Sequence, residues 1–264
     1  MIIAMGLYSW LIAYLELEYW EIDDNNTVKN LTLLHNLLGF VLSLLLVFRT
    51  NTAYDRWWEG RKIWGTIVNN SRNLAIKIKS FSANDDATLE FFKRVIPLYA
   101  SMLAKHLQTE KTRLSLDEQE HPQLKELDKQ KHIPNQVALL MMQKVNTLYH
   151  EKKISGDQLI VLNSELQSFT DACGACERIR NTPIPYSYSV FLKKFIFFYI
   201  MTLPFGFVFN LGYYIIPVVC FIFYVLASLE LIAEEIEDPF GKDSNDLPTE
   251  KIASNIKLHV EEIL

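Results

Sequence analysis

The chain has 264 residues, half of them apolar, yet 22% are charged and the formal net charge is −5. That acidic balance argues against nucleic acid as the main partner, and three cysteines supply no disulfide framework. Apolar spans and a charged soluble part therefore share one polypeptide.

Met1–Leu15 is apolar and uncharged, with neither the basic lead nor the small-residue cleavage site of a secretory signal. It reads as the outer part of a first membrane helix, with a short interfacial helix as the alternative. Glu16–Asn30 carries Glu16, Glu18, Glu21, Asp23 and Asp24 against the single base Lys29. Tyr19 and Trp20 in it suit a membrane boundary. This stretch reads as an outer loop, and carboxylates grouped about an axis would concentrate cations there. An ordinary solvated loop fits equally well.

Residues 31–48 hold no charge beyond a proton on His35, and their length is close to the minimum for one bilayer crossing. Arg49, Arg56, Arg61 and Lys62 follow, which points that end at the cytoplasm. Phe40, Leu44 and Phe48 recur every four residues and form an apolar stripe roughly 12 Å long. Asn36 extends it by one turn. Lipid, a neighbouring helix and a pore all suit such a stripe.

From Tyr54 to Phe81 the pattern is that of a long amphipathic helix that continues from, or starts just after, the second membrane helix, and it is broken at Asn84-Asp85-Asp86. Further helices are expected over 87–108, kinked at Pro97, then over 135–153 and 158–181. The polar stretch 109–135, with Pro122 and Pro134, reads as a loop with a short helix. Ser155-Gly156-Asp157 is a break and supplies an N-cap. No strand pattern of any length occurs. Val190–Phe209 is a third membrane helix, with Lys193 and Lys194 near its start able to snorkel. Asn210-Leu211-Gly212 links it tightly to a fourth, Tyr213–Leu229. Four crossings place both termini and 49–189 inside. Glu230, Glu234, Glu235, Glu237 and Asp238 follow, then Pro239-Phe240-Gly241 and a last amphipathic helix from Thr249 to Leu264.

The expected fold class is therefore an all-α integral membrane protein with four transmembrane helices, the first truncated, and a helical cytosolic domain. Segments 1–58 and 190–232 would hold the membrane helices and 59–189 the cytosolic domain. Residues 233–264 would form an acidic turn and a C-terminal cytosolic helix.

Motifs of enzyme chemistry are missing: there is no Gly-rich phosphate loop, no G-x-S-x-G and no H-E-x-x-H. Cys173-Gly-Ala-Cys176 lies in a helical pattern without a sheet, so two small packing residues read better than a redox pair. The six histidines show no metal-ligand spacing. The acidic stretch 234–246 could hold a hard cation through Asp243, Asp246 and backbone carbonyls, the oxygen ligands that Ca²⁺ prefers. Composition alone favours a solvated acidic turn.

Three segments, FRTNTAYDRWWEGRKIWG (48–65), CERIRNTPIPYSYS (176–189) and AEEIEDPFGKDSNDLP (233–248), resemble the bestrophin family in its bacterial branch, in the family's order and spacing. The resemblance covers essentially the whole chain. It implies a homopentameric ion channel in the bacterial inner membrane, with one central pore lined by the second helix and a cytosolic vestibule. Phe40, Leu44 and Phe48 match the family's three neck residues, which would turn the stripe toward the axis as a constriction that excludes water. The family's cytosolic aperture falls on Asp157 here, where an apolar residue is usual, and a ring of carboxylates attracts cations.

With the acidic outer loop and the cation preference of the bacterial branch, the resemblance implies passive conduction of monovalent cations. An anion channel, as in eukaryotic relatives, and a non-conducting membrane scaffold or assembly factor are the alternatives. In eukaryotic members the acidic stretch binds Ca²⁺. The match lands on Asp243 and Asp246, with backbone oxygens near Glu235 and Asp238 and a further oxygen from an N-terminal segment that this chain does not supply. Bacterial members do not generally show that site. No other cofactor is implied, and the partners are further copies of the chain, inorganic ions and the bilayer.

Overall fold

A computed structural model describes residues 1–19, 31–108 and 131–264, together with the backbone of 26–30. Among the described residues all regular structure is helical. Helix α1 spans Ile2–Tyr14 and continues as a π turn, Leu15–Tyr19. Then come α2 (Asn26–Phe81), α3 (Asp86–Gln108), α4 (Ile133–His150), α5 (Gly156–Asn181), α6 (Tyr186–Leu211), α7 (Ile215–Glu237) and α8 (Thr249–Ile263).

The second membrane helix and the amphipathic helix after it run on without a break as one element, α2, of 56 residues, the continuous one of the two arrangements that the sequence allows. At about 1.5 Å per residue it is roughly 84 Å long, against about 30 Å of bilayer hydrocarbon. No proline interrupts it, and Arg49, where the uncharged run ends, is buried inside a packed interface. Helix α7 runs to Glu237, past the expected end at Leu229, so Glu230 to Glu237 form its last two turns and do not follow it.

The chain divides into two compact units, 1–55 with 183–237 and 56–182 with 238–264. In the first, α1 packs on α6 and α7, and α6 packs on α7. Met5, Ala13, Leu42, Leu46, Leu192, Ile200 and Val219 lie in its apolar core. Polar side chains stitch the helices to each other's carbonyls. The Tyr8 hydroxyl donates to Met201 O at 2.9 Å. The Thr32 hydroxyl donates to Gly206 O at 2.7 Å. Stretches long and apolar enough to cross a membrane lie within Leu31–Phe81 and within Tyr186–Glu237. The second has 52 residues, too long for one crossing of about 20. It turns at Gly212, whose φ of 53° is left-handed backbone that a side chain would strain.

The second unit is built on α3, which packs on α8, α4 and α5. Trp64, Phe92, Tyr99, Val137, Phe169 and Val260 are fully buried in its core. The Tyr99 ring meets Phe169 edge-on at 5.1 Å, and its hydroxyl donates to Phe169 O at 2.7 Å, so the one polar atom of this pair is satisfied. Helix α5 opens with a capping box: the Gln158 N–H donates to Ser155 Oγ, and the Ser155 N–H to Gln158 Oε1.

Asp85 caps α3. Its carboxylate accepts the Thr88 N–H at 3.1 Å, the Thr88 hydroxyl at 2.9 Å and the Lys153 ammonium at 2.8 Å. The Lys153 bond, then those from Thr88, lower its pKa from 3.8 to about 2. A carboxyl held below its unfolded value adds stability above about pH 4, and that stability is lost as the pH falls through 2. Asp85→Ala is expected to cost about 1 kcal/mol through the lost cap. Asp85→Asn keeps a cap acceptor but loses the charge. Its stability deficit against the parent, read by thermal melts of helical circular dichroism, should be present at pH 6 and vanish toward pH 2.

Candidate functional site

The candidate site is the apolar part of α2, which has two opposite faces. His35, Leu42, Leu46, Arg49 and Ala53 are buried against the chain's own unit. Phe40, Leu44 and Phe48 are 70%, 46% and 58% exposed. At about 100° per residue the centres of the two stripes lie roughly half a turn apart. The stripe singled out in the sequence thus points away from the subunit's own core. Leu33, Leu37, Val41 and Val47 flank it and are exposed as well.

The buried face is held by polar anchors. His35 Nδ1 donates to Leu31 O at 3.0 Å, the only role that ring nitrogen can take against a carbonyl. Its Nε2 lies 3.0 Å from the Thr202 hydroxyl on α6. One residue past the stripe, Arg49 is 1% exposed. Its Nη2 lies 2.7 Å from Glu237 Oε2 and its Nε 3.7 Å from Glu230 Oε2, both on α7. Glu237 Oε1 also accepts the Ile184 N–H at 2.6 Å. Arg49, which in the sequence marks the end of the uncharged run, is therefore buried as the partner of two carboxylates. The signal that could have found it is the i, i+7 pair of acids on one face of an apolar helix. Lys193 meets both oxygens of Glu234 at 2.8 Å. That pair is about half exposed, and such pairs contribute about 0–1 kcal/mol.

Asp157 is exposed in the first turn of α5, where a carboxylate also complements the helix dipole. Ile160 and Val161 beside it are exposed too. Of the acidic outer stretch, Glu21, Asp23 and Asp24 lie outside the described residues, as do Trp20 and the Lys29 side chain. Glu16 is buried, and only Glu18 of the described acids there faces outward. Residues 109–130, with Pro122, also lie outside the description.

The turn after α7 closes on itself. Asp246 Oδ2 accepts the Asp243 N–H at 2.6 Å, the Leu247 N–H donates to Pro239 O at 2.9 Å, and the Gly241 N–H to Asp238 O at 3.3 Å. Asp243 and Asp246 line a cleft of about 610 Å³ with Lys242 and Lys251. The turn's two carboxylates, one already engaged, fall short of the roughly six to eight oxygens that Ca²⁺ takes, and two lysines share the space with a third carboxylate, Glu250. The donor set on this turn does not by itself make a Ca²⁺ site.

Within the second unit the three motif segments meet. Phe240 is buried against Gly60, where an added Cβ would lie 3.1 Å from the Phe240 ring and 3.2 Å from Leu247. The Trp57 indole donates to Asn245 O at 2.9 Å. Arg56 donates to Thr182 O and, at 2.7 Å, to Ile179 O, carbonyls that end α5. Arg178 pairs with Glu59 at 2.5 Å. Cys173 and Cys176 are buried in α5. Burial pushes the Cys173 thiol up to about 12 and Cys176 higher still, so both stay protonated and act as packing residues.

Arg49→Ala should destabilise the chain by about 3–5 kcal/mol, because it strands buried carboxylates. Arg49→Met combined with Glu230→Gln should recover part of that loss. Detergent-phase thermal unfolding reads both.

The chain matches the model of a family described as "Bacterial/Fungal Bestrophin protein" over residues 1–262. A voltage-dependent anion channel-forming protein of Nostoc is 37% identical, over 85% of this chain and 75% of that one. Its namesake in Escherichia coli K12 is 31% identical over 84% and 73%. The crystal structure of a bacterial bestrophin homologue from Klebsiella pneumoniae superposes with a TM-score of 0.85, at 25% identity, over 99% of this chain and 96% of that one.

Proposed function

Because the chain belongs to the bacterial and fungal bestrophin family, we propose that it is a subunit of a passive ion channel whose neck is formed by Phe40, Leu44 and Phe48. The observation that carries this reading is the opposition of faces on α2. One stripe is locked to the subunit by His35, Leu42, Leu46 and Arg49, and the other turns away from it. A stripe of large apolar side chains that its own chain leaves uncovered suits a shared axis, where it forms a constriction that gates by dewetting. The reading includes a homopentamer, four crossings made by α1, the apolar part of α2, α6 and α7, an inner-membrane location and both termini in the cytoplasm.

Monovalent cations are the proposed permeant ions. The exposed carboxylate of Asp157 in the first turn of α5 supports this, since a ring of such groups favours cations. The outer acidic stretch adds less than its composition suggested, because Glu16 is buried. A second reading, anion conduction, is favoured by the printed names of the relatives in Nostoc and Escherichia coli. A non-conducting scaffold has no observation in its favour.

Reconstitution in planar bilayers under a salt gradient separates these readings. Unitary currents reversing near the cation equilibrium potential are expected; reversal near the anion potential selects the second reading, and silence at high protein load removes both. Replacing Phe40, Leu44 and Phe48 together by Ala should raise open probability severalfold, and unchanged currents would take the stripe out of the gate. Asp157→Asn should lower the cation-to-anion permeability ratio or the conductance. If neither moves, that residue is not on the ion path.

A further inference from the structure

The histidines show no ligand spacing along the chain, yet the 56–182 part of the second unit brings two of them to one carboxylate. His106 lies in the last turn of α3, His132 is the N-cap of α4, and Glu177 lies on α5. His106 Nε2 is 2.7 Å and His132 Nε2 2.6 Å from the same Glu177 Oε1. The two imidazole centroids are 4.5 Å apart. One ligand atom from each residue lies within 4.8 Å of the others, and no other such group of three gathers among the described residues. The side chains are 20%, 30% and 29% exposed, so an ion can reach them from solvent.

We propose that His106, His132 and Glu177 bind a divalent transition-metal ion of the zinc class and thereby pin the end of α3, the start of α4 and α5 to one another. Two imidazole nitrogens and a carboxylate oxygen, with one position left for water, are a donor set that Zn²⁺ accepts. Bond lengths of about 2.0–2.2 Å put tetrahedral ligands roughly 3.4 Å apart. The two nitrogen–oxygen separations therefore need to open by less than about 1 Å, with the two nitrogens, within 4.8 Å of each other, settling at the same spacing. Burial lowers the pKa of His106, and its bond to Glu177 opposes this. Burial raises the Glu177 carboxyl, and the two histidine bonds more than reverse it. Neutral imidazole beside carboxylate is the ligating state.

Two features oppose the ion and set the terms of the test. The Arg180 guanidinium donates to His106 O at 2.9 Å and brings a positive charge to the cluster. His132 Nδ1 accepts the Asn135 N–H at 3.2 Å, so Nε2 of the neutral ring carries its proton. Coordination at Nε2 moves that proton to Nδ1 and gives up the cap bond of α4. The competing account is a hydrogen-bonded clasp, two N–H groups on one carboxylate, that takes no metal.

The full chain in detergent, stripped with a chelator, is titrated with ZnCl₂ against a chromogenic competitor and separately with Co²⁺. The expected result is one ion per chain, with affinity falling at least tenfold in His106→Gln, Glu177→Gln and His132→Asn. Asn at 132 removes the imidazole but keeps a cap acceptor for α4, so this variant remains informative if another fails to fold. Zn²⁺ should raise the melting temperature of the parent and not that of His132→Asn. Tetrahedral d–d bands of Co²⁺ without a thiolate charge-transfer band would place the ion on nitrogen and oxygen. The proposal is overturned by absence of stoichiometric uptake, by uptake that none of the three substitutions weakens, or by a thiolate band that moves the ion to cysteine.

Discussion

Arg49 is the constraint from which the arrangement of the first unit follows. A guanidinium that is 1% exposed has given up its hydration, and in an apolar surrounding that loss is several kcal/mol. Only anionic partners at short range offset it, and α7 supplies Glu237 and Glu230 on one face. Once the pair forms, the rotation of α2 about its own axis is set. The side of α2 that carries His35, Leu42 and Leu46 must then face the core. Phe40, Leu44 and Phe48 are left on the far side with no freedom to turn inward. The direction of this stripe is thus decided by a charge on the opposite side of the helix.

The same unit shows how an apolar helix cluster obtains specificity. Dispersion and area burial do not distinguish one helix rotation from its neighbours. Directional bonds do, and each here ends on a backbone carbonyl or a hydroxyl: Tyr8 on Met201 O, Thr32 on Gly206 O, His35 on Thr202. Each is worth about 1 kcal/mol when made and more when broken, so together they select one packing among several of similar apolar area.

Much of this was legible in the chain. The apolar runs, the break at Asn84–Asp86 and the cap at Ser155 rest on local chemistry, and local chemistry is written in order along a sequence. The burial of Arg49 is not legible, because an arginine after eighteen uncharged residues looks solvated; its neutralising partners lie more than 180 residues away. The extension of α7 to Glu237 escaped notice for the same reason, since its acids look solvated until the guanidinium is placed among them. The His106, His132 and Glu177 cluster is assembled from three helices, and no spacing rule reaches across the intervening chain. The direction of the neck stripe came from family likeness. Periodicity could define the stripe but not what it faced, and burial of the opposite side of α2 narrows that choice.

The contact between Gly60 and Phe240 has a consequence for sequence drift. The aromatic ring already sits 3.1 Å from where a methyl group at 60 would stand, and Leu247 3.2 Å. A side chain at 60 therefore has to push the Phe240 ring and Leu247 back by a few tenths of an ångström inside a close-packed core. Tolerance at position 60 is thereby tied to the give of two residues at least 180 positions further along the chain.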